Sequence, residues 1–228
     1  MKLFFDIIFY TSFITAGLAV VLGLKLLKEK VINLFVILVT ISFFADVLNA
    51  SSSYYYLKKG IDLGIRNVGD VYRILELILL TLFFQSFDYK KIIKITLITF
   101  VGLSILYFVI IYQQFFQIDQ DSTPMRLSSA FVSITFGLLF YKSVITKMDV
   151  PLITSWPPFY FVTSVFIYFC GVVIAFLLYY PLFKIDKETG LYLWSFHNAW
   201  LIIRNILLII GFYYTYKTKY KWSPISIL

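Results

Sequence analysis

Residues 92–112 read IIKITLITFVGLSILYFVIIY, and the way this run folds decides the fold of the chain. Apart from Lys94 near its start, the run is apolar all round. It lacks the apolar–polar alternation that a barrel strand shows over about 10 residues. A hydrocarbon core roughly 30 Å thick is crossed by about 20 apolar residues wound as an α-helix. The run therefore reads as a transmembrane helix.

Runs of the same length and character fall at about 3–24, 31–57, 68–86, 125–146, 157–180 and 191–216. With 92–113 they make seven expected spans and occupy almost all of the 228 residues. Composition agrees: 61% of residues are hydrophobic and 14% are charged, against about a quarter charged in a soluble domain. Mean hydropathy is +0.87. The expected fold class is an all-α integral membrane protein, a seven-transmembrane-helix bundle forming a single polytopic domain over 1–228. No domain boundary, low-complexity tract or internal repeat breaks the pattern.

The first span invites a second reading as a secretory signal peptide. Its basic region is a single lysine, Lys2, and Asp6 interrupts the apolar run. Lys25, Lys28 and Lys30 follow it in the manner of a cytoplasmic stop. An uncleaved helix is the expectation.

Orientation follows from where Lys and Arg fall in the short loops. With the N-terminus outside, the inner side holds Lys25, Lys28, Lys30, Lys90, Lys91, Lys94, Lys142, Lys147, Lys217, Lys219 and Lys221. The outer side holds Lys2, Lys58, Lys59, Arg66, Arg126, Lys184 and Lys187. Eleven against seven favours an outer N-terminus and a cytoplasmic C-terminus in the cell (cytoplasmic) membrane. The formal net charge of +8 then suits an anionic inner leaflet, and nucleic-acid binding is not needed to explain it.

Several chemistries are excluded early. One cysteine, Cys170, permits no internal disulfide and no cysteine-rich metal site. One histidine, His197, rules out the multi-histidine zinc sites of membrane enzymes. A retinal pigment needs a lysine deep in the last helix, where this chain has Arg204. No nucleotide loop, Ser-His-Asp grouping or intramembrane protease signature is present, and no cofactor is expected.

The connections carry their own signals. Two longer outer ones, Lys58 to Asn67 and Phe116 to Pro124, are expected to cap the bundle. Pro151, Pro157 and Pro158 around Trp156 predict a rigid interfacial turn before the sixth helix. Aromatic clusters at Tyr54 to Tyr56, Phe159 to Phe161, Tyr179 to Tyr180 and Tyr213 to Tyr214 read as belts at the membrane interfaces. The basic, amphipathic tail after Tyr216 suits the inner leaflet or a docked partner.

The candidate functional residues are the ionisable and amide side chains inside spans, which cost about 2.5–3.5 kcal/mol each to insert and so face the bundle interior and pair. Asp46 and Asn49 share one face of the second span, and Asp70, Arg73 and Glu76 form an acid-base-acid ladder on the third. On the seventh, His197, Trp200 and Arg204 follow one another, with Trp194, Asn198 and Asn205 on a neighbouring stripe. Spans four and six carry no charge in their central turns, so the polar work is assigned to helices two, three and seven. Counting a rise of about 1.5 Å per residue from the inner ends places Asp46 about 22 Å up, Arg73 about 21 Å, Arg204 about 18 Å and Glu76 about 16 Å. Level for level, Asp46 is predicted to pair with Arg73 and Glu76 with Arg204, with His197 and Asp70 nearer the outer mouth. Gln85 and Arg126 read as peripheral, snorkelling or capping at the interface.

These observations favour a non-enzymatic membrane protein, a sensory or accessory subunit. It would bind a partner protein at the cytoplasmic face or within the membrane, and a small ligand or lipid in an outward-facing polar pocket. A small transporter or proton-coupled carrier using Asp46, Glu76 and His197 as relays is the alternative. A lipid-modifying enzyme with Asp70 or Glu76 as acid or base beside His197 is the third reading.

Overall fold

In hydrocarbon no water is present to satisfy a backbone amide, so an apolar chain of this length winds into helices that satisfy their own. A computed structural model describes residues 2–26, 30–59, 66–114, 123–147 and 153–219. These fold into α1 (Lys2–Leu24), α2 (Lys30–Lys59), α3 (Arg66–Gln85), α4 (Lys91–Gln114), α5 (Thr123–Lys147), α6 (Pro157–Ile185) and α7 (Lys187–Thr218), with a 3-10 turn at Ile153–Ser155. Among the described residues, six of the helices, all but α3, offer a stretch long and apolar enough to cross a membrane. The expected cap segments 60–65 and 115–122 and the tail beyond 219 lie outside the described residues.

The first five helices end within two residues of their expected bounds, whereas the last connection does not. The stretch 181–190, expected as a loop, is almost wholly helical, and Asp186 alone separates α6 from α7. Asp186 manages this by serving both ends. Its backbone N–H donates to the Leu182 carbonyl at 2.7 Å as α6 finishes, and its carboxylate accepts from the Thr189 N–H at 3.2 Å as α7 begins. The turn before α6 is as the prolines require: Trp156 N–H closes onto the Ile153 carbonyl at 3.2 Å, and prolines occupy the first turn of the helix, where a missing donor costs nothing.

Packing joins α1 to α2 and α7, α2 to α3, α3 to α5, α5 to α6, and α6 to α7. Six helices thus close a ring, and α4 lies outside it against α3 and α5. The outer surfaces are apolar. Ile92, Ile95, Ile98, Leu103 and Leu106 are exposed along α4, and Ile7, Tyr10, Ile14, Leu18 and Val21 along α1. Cys170 is exposed too. Inside, the ring has two unlike ends. Where α2 and α6 start and α3 and α7 finish, Phe35 stacks on Phe161 with ring centroids 4.9 Å apart and meets Phe83 edge-on at 4.4 Å. Phe161 meets Phe212 at 5.3 Å and Phe87 meets Phe140 at 5.6 Å. These rings are fully buried. Phe161, expected in an interfacial belt, is therefore part of an internal aromatic seal, although its neighbour Tyr160 does stack on Tyr214 near the helix ends, at 5.5 Å.

The α6–α7 contact is the most extensive, and small residues permit it. The Trp200 indole lies directly on the backbone of Gly171, where any Cβ would collide with it. Gly102 on α4 has nothing within 4 Å of its Cβ position. Gly171→Leu should therefore lower unfolding stability by about 1–3 kcal/mol, whereas Gly102→Leu should change it by no more than about 0.5 kcal/mol or raise it slightly. Thermal unfolding of both variants in one detergent checks this, and equal effects would contradict the packing described.

Candidate functional site

The other end of the ring holds the buried charged side chains, and α3 organises them. Tyr72 and Glu76 stand one turn apart on one face, so the phenol donates to Glu76 Oε1 at 2.7 Å. Arg73, three residues before Glu76, donates through Nη1 to Oε2 at 3.1 Å. Both carboxylate oxygens are thereby occupied within a single helix. Glu76 is 1% exposed and the Arg73 side chain 11%, which makes this a buried charge pair with a third donor attached.

α7 supplies the second group. Arg204, 3% exposed, lies over the Tyr168 ring of α6 at 4.9 Å. Its Nη2 donates to Ser42 Oγ of α2 at 3.3 Å, and Nε and Nη2 both reach Asn205 Oδ1 at 3.4 Å. Asn205, wholly buried, donates onward from Nδ2 to Thr15 Oγ1 of α1 at 3.4 Å. One turn or more toward the start of α7, His197 Nε2 is 2.9 Å from the Tyr168 hydroxyl, and Nδ1 is 3.4 Å from Asn198 Oδ1. An amide oxygen only accepts, so in the neutral ring Nδ1 carries the proton and the Tyr168 hydroxyl donates to Nε2.

Asp46, one turn beyond Ser42 on α2, lies within Coulombic range of Arg204, Arg73 and Glu76. Arg126 of α5 stacks over Phe176 at 5.3 Å and lies within Coulombic range of His197. The groups form one electrostatic cluster drawn from α1, α2, α3, α5, α6 and α7.

Of the nine residues singled out in the sequence, the structure gathers Asp46, Arg73, Glu76, His197, Asn198, Arg204 and Asn205 into this cluster. The side chains of Asn49 and Asp70 lie outside the described residues. The pairing differs from the one depth alone suggested. Glu76 is bound by Tyr72 and Arg73 on its own helix, so no Glu76–Arg204 ion pair forms, and Asp46 is close to Arg73 without bonding to it. In-helix spacings of three and four bring partners together with no adjustment between helices, which is why they prevail over cross-bundle pairs at equal depth. The expectation that helices two, three and seven hold all the polar work is also corrected. Tyr168 of α6, Thr15 of α1 and Arg126 of α5 take part, and Arg126 is not peripheral. Tyr72 was detectable as the residue one turn before Glu76, and Tyr168 as a tyrosine in mid-span, far from any belt.

Among the described residues, no three His, Cys, Asp or Glu side chains gather to hold a metal ion. Chemically, the cluster offers guanidinium donors, a carboxylate and a Tyr–His pair in a setting of low dielectric. No protein-family model, characterised protein or solved structure compared with the chain matches it.

The Arg73–Glu76 pair makes a quantitative expectation. Glu76→Leu strands a buried guanidinium and should cost about 3–5 kcal/mol. Arg73→Met with Glu76→Leu removes both charges and should recover much of that loss. Reversible unfolding of these variants and of Arg73→Met alone in mixed micelles completes the double-mutant cycle, and strictly additive losses would show that the pair is not coupled.

Proposed function

We propose that the protein is a seven-span, non-enzymatic protein of the cytoplasmic membrane, N-terminus outside and C-terminus inside. It acts as a sensory or accessory subunit: an outward-facing polar pocket takes a small ligand or lipid, and a partner protein docks at the cytoplasmic face or within the membrane. The observation that carries this reading is the segregation of the ring interior. Buried charges crowd one end, while Phe35, Phe83, Phe161 and Phe212 fill most of the other.

A one-ended polar interior suits recognition from one side of the membrane. A carrier relaying protons through Asp46, Glu76 and His197 would need a path past those packed rings, and for that reason is the weaker reading. Charge supports the orientation: Lys25, Lys90, Lys91, Lys142, Lys217 and Lys219 are exposed at the sealed end, against Asp88, as the bias toward cytoplasmic lysine requires. The seventh span is α3, whose 20 residues would cover about 30 Å as an α-helix. It is too polar to face lipid on all sides but sits in the ring between α2 and α5.

Two measurements test the proposal. In a Cys170→Ala background, an impermeant maleimide applied to intact cells should label Asp6→Cys and spare Lys219→Cys; the reverse pattern would invert the orientation. Purification in a gentle detergent should bring down a stoichiometric protein companion. A bundle that elutes alone at endogenous expression would remove the subunit reading.

A further inference from the structure

Arg204 is a buried charge in the cluster with no ion-pair partner among the described residues. A guanidinium held by an anion usually makes bonds of about 2.7–2.9 Å, whereas its contacts are to the neutral oxygens of Ser42 and Asn205 at 3.3–3.4 Å. Its Nη1 has no hydrogen bond among the described residues, although the side chain is only 3% exposed. The carboxylate of Glu76 is held by Tyr72 and Arg73 and makes no bond to it.

Asp46 is in the complementary position. Arg204 is the first of the charges acting on it, yet the two make no direct ion pair. Ser42, which Arg204 touches, stands four residues before Asp46 on the same face of α2, about 6 Å along the helix. A base and an acid thus stand near each other, inside the membrane-spanning part of the ring, without meeting.

We infer that Arg204 and Asp46 form a two-point site for a small zwitterion. The ligand's oxoacid group, carboxylate or phosphate, would take the Nη1 edge of Arg204 beside the Ser42 hydroxyl, and its ammonium would take Asp46. The charges select this class. A simple anion meets repulsion from Asp46, a simple cation meets repulsion from Arg204, and a neutral solute leaves both unsatisfied. Amino-acid-like solutes and the headgroup of a zwitterionic phospholipid share this chemistry. The inference rests on the polar pocket proposed above and names what it would hold.

Binding is read on the full chain, purified in detergent and free of added lipid, from thermal shifts with glycine, γ-aminobutyrate, acetate and methylammonium. One or both zwitterions should raise the midpoint saturably, while acetate and methylammonium at equal concentration should not. Asp46→Asn, which keeps shape and hydrogen bonding, and Arg204→Lys should each weaken that response about tenfold or more. For the headgroup source, native mass spectrometry from nanodiscs of phosphatidylethanolamine or phosphatidylglycerol should show a retained phosphatidylethanolamine adduct that Asp46→Asn loses. The wild-type comparison of whole and half probes stands even if the variants misfold. Protection by acetate equal to that by glycine would make this an anion site and overturn the inference. So would a wild-type protein that binds none of these probes or lipids, its gap then being bridged by water alone. Neither result touches the orientation or the partner, which labelling and co-purification read separately.

Discussion

A carboxylate in the interior of a membrane bundle must be given hydrogen bonds by the protein, because nothing else there can supply them. Glu76 sets this constraint, and much of the structure follows from it. Two donors on its own helix satisfy both oxygens, but the price is a helix carrying Tyr72, Arg73 and Glu76 together, three polar side chains within five residues. Such a helix is tolerable only where neighbours screen its polar face. α2 and α5 flank it, and α4 packs on its outer side against α3 and α5. The placement of α4 outside the ring is thus intelligible as cover: an apolar helix with a lipid-facing row of isoleucines and leucines shields the most polar helix of the set.

The same accounting explains the contrast between the two ends of the ring. Polar groups near α7 are joined in series, Thr15 to Asn205 to Arg204 to Ser42 on one branch and Asn198 to His197 to Tyr168 on the other. Each link crosses from α7 to another helix or prepares a neighbour that does. At the opposite end such links are fewer, Tyr141 to Thr163 between α5 and α6 being one, and phenylalanine rings in offset and edge-on contact fill most of the volume. α7 takes part in both, with Arg204 in the polar region and Phe212 in the seal.

Helix number and most helix ends were legible in the sequence because apolar length and charge placement are strong, local signals. The α6–α7 connection was not, since Asp186 needs only its own carboxylate and N–H to finish one helix and start the next. Most members of the polar cluster were legible too, as charges that have no reason to sit in hydrocarbon. Their partners were harder. Depth matching treats helices as rods and compares heights, so it found that Asp46, Arg73, Glu76 and Arg204 share a region but assigned the wrong bonds. Tyrosine was the larger blind spot. With 18 in the chain, most near helix ends, nothing in composition separates Tyr168 from a belt residue except its position in mid-span.

The joints made by α7 are unequal, and the inequality bears on how the bundle could respond to an occupant. α6 and α7 are held by their most extensive contact, with Trp200 seated on Gly171. α1 packs on α7 over a long interface as well. α2 and α7 share no comparable packing, and the described link between them is the Arg204–Ser42 bond at 3.3 Å. Interfaces packed like protein interiors resist small displacement, whereas a long bond between a guanidinium and a neutral hydroxyl constrains little. The Arg204–Ser42 bond thus ties α2 to α7 across the ring more loosely than packing ties neighbouring helices. Asp46 and Arg204 keep unused hydrogen-bonding capacity there, so an added group would act directly on that cross-ring contact. An occupant shifts such a contact only by the difference in its affinity for two arrangements. From Arg204, the rigid path to the exposed basic end of α7 at Lys217 is about 20 Å of uninterrupted helix.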